Sequence, residues 1–297
     1  MSIWSAIALA LIATCCYQVG TIMQKLSAER LPHIPLGGGQ RRVLRAFVRS
    51  PTWLGGIAVS IVGWVLFLKA IANAPVSIVQ PVLGFGLCLL AFFSVVFLHE
   101  QLRPLEWLGV GLMVGGIVLL GISGAQEGGR AAAVSFFGLV AVSIAILAAL
   151  GVAVRIARDG RRIPLPVVLG FASGVLVGLA ALYTKALFLS LAAGAVIVTW
   201  AIFLPLTLLA NLGGLWVTQA GFQKGRALIV MAMNAVTNKV VTIIGGMAAL
   251  GEILPADSRL AAARVMGFLT ILAGTVILAR FGAVSATQAA PPATEAA

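Results

Sequence analysis

Nine runs of about twenty apolar residues dominate the chain, at 3–25, 52–74, 78–98, 105–123, 133–155, 166–190, 196–221, 227–249 and 263–282. A helix needs about twenty such residues to cross the hydrocarbon core of a bilayer. In lipid each spanning segment must satisfy its own backbone polar groups, which favours helices. The pattern predicts an all-α polytopic membrane protein with nine transmembrane helices. Composition excludes the main alternatives. Only 9% of residues are charged and 61% are apolar, whereas a soluble domain carries about 25% charge. The second and third runs are separated by Ala74-Pro75-Val76-Ser77, which predicts a tight helical hairpin.

The net charge of +12 suggests nucleic acid only until the charges are placed. With nine spans the termini lie on opposite faces. Lys25, Arg30, Arg41, Arg42, Arg45, Arg49, Arg103, Arg155, Arg158, Arg161, Arg162, Lys224, Arg226 and Arg280 fall on one face, and Arg130, Arg259 and Arg264 on the other. Cytoplasmic loops carry the excess of Lys and Arg. This predicts an outside N-terminus and a cytoplasmic C-terminus in the cytoplasmic (plasma) membrane, with the bilayer and not nucleic acid as partner. The polar loop 26–51 is too polar to span, and Arg41 to Arg49 suit anionic headgroups at the lipid surface. Met1 to Ser5 carry no positive charge, so the first run reads as a span and not as a cleaved signal.

The chain also repeats itself. Trp64-Val65 recurs as Trp216-Val217, and the same offset relates Leu98, Glu100 and Leu102 to Leu250, Glu252 and Leu254. After a short insertion, Gly109, Gly116, Val118 and Leu120 correspond to Gly267, Gly274, Val276 and Leu278. A weaker match relates Lys25 to Lys185. Corresponding spans are five apart, an odd number, so the copies cross the membrane in opposite directions. The expected organisation is a first repeat at 1–123, a connector helix with its basic loop at 124–165, a second inverted repeat at 166–282, and a disordered cytoplasmic tail at 283–297. Two inverted four-helix repeats are an architecture of transporters, because pseudo-equivalent halves can rock about a central site. Gly170, Gly174 and Gly178, and likewise Gly111 and Gly115, have the spacing that lets helices approach closely.

Several residues carry a resemblance to the drug/metabolite transporter superfamily. Ala72-Asn73-Ala74-Pro75-Val76-Ser77-Ile78-Val79-Gln80-Pro81, then Leu98-His99-Glu100-Gln101-Leu102, then Gly109 through Gly121 resemble its EamA-like repeat unit. Nine helices are similar to the branch that includes NIPA-type magnesium transporters. Gly20-Thr21-Ile22-Met23-Gln24-Lys25-Leu26-Ser27 resembles a helix end of the small multidrug resistance proteins. In that family a glutamate three residues before the glycine exchanges protons for cationic drugs. Tyr17 stands there in this chain, and Val177 at the equivalent place in the second copy. Proton-coupled export of cationic drugs is therefore not expected.

Polar side chains within lipid are costly and mark candidate sites. Asn234, Asn238 and Thr242 recur every four residues, so they share one helix face, with Lys239 beside them. This stripe suits a hydrogen-bonding metabolite or organic anion; it equally suits bonds between helices. Tyr17, Gln18 and Gln80 are further candidate substrate contacts, with Gln24, Asn211, Gln219 and Gln223 as weaker ones. Glu100 and Glu252 are candidate gate residues, or helix-end contacts to nearby Arg. Lys69 and Lys185 suit snorkelling to headgroups. Trp4, Trp53, Trp107 and Trp200 read as interface anchors, and Trp64 and Trp216 as cavity walls or packing groups.

Neither of the two histidines nor the three cysteines (Cys15, Cys16, Cys88) forms a metal or disulfide motif. No cofactor, metal site, nucleotide-binding loop or enzyme constellation is expected. The function this supports is secondary transport of a small polar metabolite. Magnesium transport is the alternative, and a non-transporting scaffold a third. A homodimer is compatible with the sequence.

Overall fold

The computed structural model describes residues 3–34, 40–73, 85–124, 136–160, 163–250 and 257–288. They form ten helices: α1 (Ile3–Arg30), α2 (Gln40–Val48), α3 (Pro51–Asn73), α4 (Gly86–Leu98), α5 (Pro104–Gly124), α6 (Phe136–Gly160), α7 (Leu165–Ala192), α8 (Val196–Lys224), α9 (Ala227–Leu250) and α10 (Ser258–Gln288). Six of these are long and apolar enough to cross a membrane, or seven if α2 and α3, bent by 70°, count as one span. Two shorter apolar helices, Gly86–Leu98 and Pro104–Leu120, complete the set.

Within the described residues each expected apolar run overlaps one of these helices, six of which are long enough to span alone, and the ends differ. α1 continues through the first basic residues to Arg30, and α10 runs past 282 to Gln288. The polar segment 26–51 holds the amphipathic α2. The start of the third expected span, with Gln80 and the 74–77 hairpin, lies outside the described residues, as does Glu252.

Local chemistry sets two of the helix ends that matter. α4 stops at His99, which takes a left-handed conformation (φ 54). The chain turns there and starts α5 at Pro104, whose missing N–H and fixed φ suit a first helical position. Glu106 reaches back so that Oε2 accepts from the Arg103 N–H at 2.7 Å, half of a capping box.

The most extensive packing joins α1 to α3, α5 to α10, and α7 to both α8 and α9. Glycine makes each seam close. A Cβ on Gly20 would come within 2.7 Å of the Gly56 carbonyl, and one on Gly174 within 2.6 Å of the Asn234 carbonyl. Gly170, Gly174 and Gly178 therefore do what their spacing predicts, against α9. Gly111 and Gly115 do not: a Cβ on either meets nothing within 4 Å. The α5 seam uses Gly109 and Gly116 instead, because they lie on the face turned to α10.

That seam is reciprocal. Gly109 and Gly274 face each other's carbonyls, and so do Gly116 and Gly267. The early residue of α5 meets the late residue of α10, so the two helices run antiparallel. They are the two helices in which Gly109 and Gly116 match Gly267 and Gly274 in sequence.

Candidate functional site

Polar residues gather in two places, an amide-lined seam within the bundle and an ionic cluster at one end. The seam lies between α7 and α9. Asn234 donates from Nδ2 to Ser173 Oγ at 2.8 Å, a bond between helices. Thr242 donates its hydroxyl back to the Asn238 carbonyl at 2.7 Å, with Asn238 Oδ1 at 3.1 Å. Lys239 is half-buried on the same helix and forms no hydrogen bond or ion pair with a described residue.

On α1, Tyr17 is half-buried. The Gln18 amide presses against α4, where a Cβ on Gly86 would come within 2.7 Å of Nε2. Gln18 Oε1 is buried with no partner among the described residues. No hydrogen bond among the described residues joins this pair to the α9 stripe. A second amide chain ties α1 to α8 and α3. Gln219 donates to Gln24 Oε1 at 2.7 Å, and Gln24 donates to Ser60 Oγ at 3.4 Å.

The ionic cluster forms where α1, α4 and α8 end and α5 and α9 begin. Lys25 is 3% exposed, and its ammonium donates to the carbonyls of Phe222 (2.5 Å) and Gly225 (2.6 Å). Those carbonyls lie at the C-terminal end of α8, where a cation complements the helix dipole. Lys25 also pairs with Glu29 at 2.7 Å. Arg226 pairs with Glu106 at 2.5 Å and with Glu100 at 3.4 Å. Glu100 Oε1 accepts from the Ala227 N–H at 3.3 Å, at the N-terminus of α9. Gln223 completes the tie: Nε2 donates to the Ala28 carbonyl at 2.9 Å, and Oε1 accepts from the Ile34 N–H at 2.8 Å.

Around these side chains opens a cavity of about 940 Å³, lined by Lys25, Glu29, the Leu98–Pro104 turn and Gln223–Arg226. Within the paired network two cations, Lys25 and Arg226, face three carboxylates, Glu29, Glu100 and Glu106. Burial pushes the Glu100 carboxyl up, and the charges of Arg226 and Lys25 pull it back only in part. Glu106 is fully buried. Such a carboxylate is tolerated because a guanidinium and an N–H satisfy it. Among the described residues, no three His, Cys, Asp or Glu side chains could hold a metal ion.

Glu100 therefore sits at an ionic contact that joins α4 to α9. Sequence reasoning did not single out Glu106 or give Arg226 a partner. The Arg103-Pro104-Leu105-Glu106 spacing was the available signal for Glu106. Trp53 is also placed differently from an interface anchor. It is buried and stacks edge-on with Phe47 at 5.7 Å, while Phe47 meets Trp216 at 5.5 Å. Trp64 is 53% exposed, unlike its counterpart Trp216. Lys69 and Lys185 are exposed.

The chain is similar to known transporters. A model of the EamA-like transporter family matches residues 48–122. The chain is 32% identical over 286 residues to the probable magnesium transporter NIPA9 of Arabidopsis thaliana, covering 93% of this chain and 82% of that protein. It is 30% identical over 102 residues to the probable 4-amino-4-deoxy-L-arabinose-phosphoundecaprenol flippase subunit ArnE of Aeromonas hydrophila, covering 34% of this chain and 84% of that one. The Escherichia coli O139:H28 protein of the same name is 38% identical over 71 residues, 23% of this chain and 63% of that one. No solved structure matches the chain. A relative of this identity over nearly the whole chain, together with the matched repeat unit, makes this multi-pass membrane protein a member of the EamA-like transporters of the drug/metabolite transporter superfamily, in their NIPA-like branch.

Proposed function

We propose that this transporter is a secondary carrier of a small polar metabolite, working by alternating access. Two inverted repeats, 1–123 and 166–282, rock about a polar centre, with 124–165 as connector. Nine crossings place the N-terminus outside and the C-terminus in the cytoplasm. The observation that carries the mechanism is the antiparallel, reciprocal glycine seam of α5 and α10. Helices that match in sequence and meet about a local two-fold are what an inverted repeat requires.

The polar interior supports the substrate class. Along the described spans the mid-helix polar groups are amides, hydroxyls and Lys239, and the carboxylates stand at helix ends. Asn234, Asn238, Lys239 and Thr242, with Tyr17, Gln18 and Gln80, are the proposed contacts. Glu100 and Glu252 are the proposed gate residues. Every hydrogen bond and ion pair given above between the two repeats, the Gln24–Gln219 pair included, lies toward the α8–α9 turn, which supports a bundle closed on its cytoplasmic side. The test compares metabolites retained and released by cells with and without the protein, followed by flux of the metabolite so found into proteoliposomes. Asn234→Leu/Asn238→Leu is expected to lower that flux at least tenfold; unchanged flux sinks the site.

A second reading, magnesium transport, is favoured by the identity to NIPA9 over most of the chain. Magnesium is usually held by one or two carboxylates and retained waters, and none of the proposed contacts is a carboxylate. Saturable, protein-dependent magnesium entry into proteoliposomes, read by an enclosed dye, would move this reading ahead.

A further inference from the structure

α2 belongs neither to the proposed substrate path nor to the ionic cluster at the end of α8. Its residues sort into three sectors. Val43 and Phe47 are buried against the bundle. Leu44 and Val48, one turn apart on the next sector, are 47% and 51% exposed. Arg41, Arg42 and Arg45, with Arg49 in the turn just past the helix, are exposed on the sector beyond. Half of the apolar face is thus covered by protein and half is not, and the uncovered half is flanked by guanidinium groups.

Orientation and charge name the occupant. The 70° bend between Arg41–Val48 and Pro51–Phe67 lays α2 across the axis of a spanning helix, as an interfacial helix lies in the membrane plane. Guanidinium forks match phosphate oxygens bidentately, and a basic surface at the headgroup level attracts anionic lipid. A soluble acidic partner would account for the arginines but not for Leu44 and Val48 beside them.

We propose that α2 is a docking site for anionic phospholipid headgroups, with the four arginines pairing phosphates while Leu44 and Val48 sit among the acyl chains. The site is tied to the ionic cluster. Phe47 stacks on Trp53 of α3 and Trp216 of α8, and the C-terminus of α8 is the element that Lys25 holds. Headgroup binding on α2 therefore braces this end of the bundle.

The test is native mass spectrometry of the full-length protein in micelles holding equal amounts of phosphatidylglycerol and phosphatidylcholine. The wild type is expected to prefer phosphatidylglycerol. Arg41→Gln and Arg45→Gln are each expected to cut that preference roughly fivefold, the worth of one basic residue near an anionic surface. Leu44→Ser/Val48→Ser is expected to weaken both lipids while leaving their ratio. These single and paired changes are at exposed positions, so folding is retained. Equal binding of the two lipids by the wild type, or a preference that survives loss of all four arginines, overturns the proposal. Uptake of a soluble acidic peptide without lipid preference would overturn it in favour of a protein partner. Lipid binding is read without transport, so the proposed substrate can fail while this site stands, and the reverse.

Discussion

Arg226 is the side chain on which the ionic end depends, because its removal strands a fully buried carboxylate. Breaking a buried pair by deleting one partner costs about 3–5 kcal/mol, whereas removing both is often close to neutral. Arg226→Met is therefore expected to destabilise the protein by about that much in thermal or denaturant unfolding in detergent. Arg226→Met/Glu106→Gln should recover most of the loss; equal instability of the double variant would show that the pair itself does not carry the effect. Glu100 carries a pH dependence of definite sign. Its carboxyl is pushed up by burial, beyond what Arg226 and Lys25 offset. The folded protein then binds that proton more tightly than the unfolded chain does. The stabilisation is full below the ordinary carboxylate range and is lost as pH rises through the raised value. The unfolding midpoint of the wild type should gain on that of Glu100→Gln as pH falls from neutral into the mildly acidic range. A difference that stays flat, or runs the other way, refutes the assignment.

At the scale of elements, the α5–α10 seam separates two glycines that look alike in sequence. Gly116→Ala puts a Cβ within 2.5 Å of the Gly267 carbonyl, on backbone that cannot step aside. It should cost about 1–3 kcal/mol, as overpacking does. Gly111→Ala meets open space and gains helix propensity, so it should not lower stability. Thermal unfolding of the two variants checks this directly, and equal effects would remove the seam as the reason for glycine. Both lie within one apolar run, and which glycines touch a neighbour depends on how α5 is rotated. A mean hydropathy does not encode that rotation. The same limit applies to Gln24 and Gln219, whose pairing joins residues 195 positions apart. The arginines of 41–49 were legible as a basic stretch for the lipid surface, while the helix that sorts them to one side of Leu44 and Val48 came from the structure.

For the molecule as a whole, orientation decides which side the ionic end serves. In a variant with Cys15, Cys16 and Cys88 replaced by Ser, an impermeant maleimide added to intact cells is expected to label Ser2→Cys and to spare Thr287→Cys. The opposite pattern would turn the bundle over and place the ionic cluster outside.

The sequence by itself determined the class of the fold. Runs long enough to cross a bilayer and the sorted arginines express single-segment physics, as do the repeated Trp-Val and Leu-x-Glu-x-Leu, since lipid makes each helix satisfy its own backbone. Only the tertiary structure decided that Arg226 meets Glu100 and Glu106, that Lys25 closes the end of α8, and that Asn234 bonds Ser173. Helices in lipid find partners through close packing and a few hydrogen bonds, without a hydrophobic drive to choose the face. Those choices belong to pairs of helices distant in sequence, and they become readable only when the helices stand side by side.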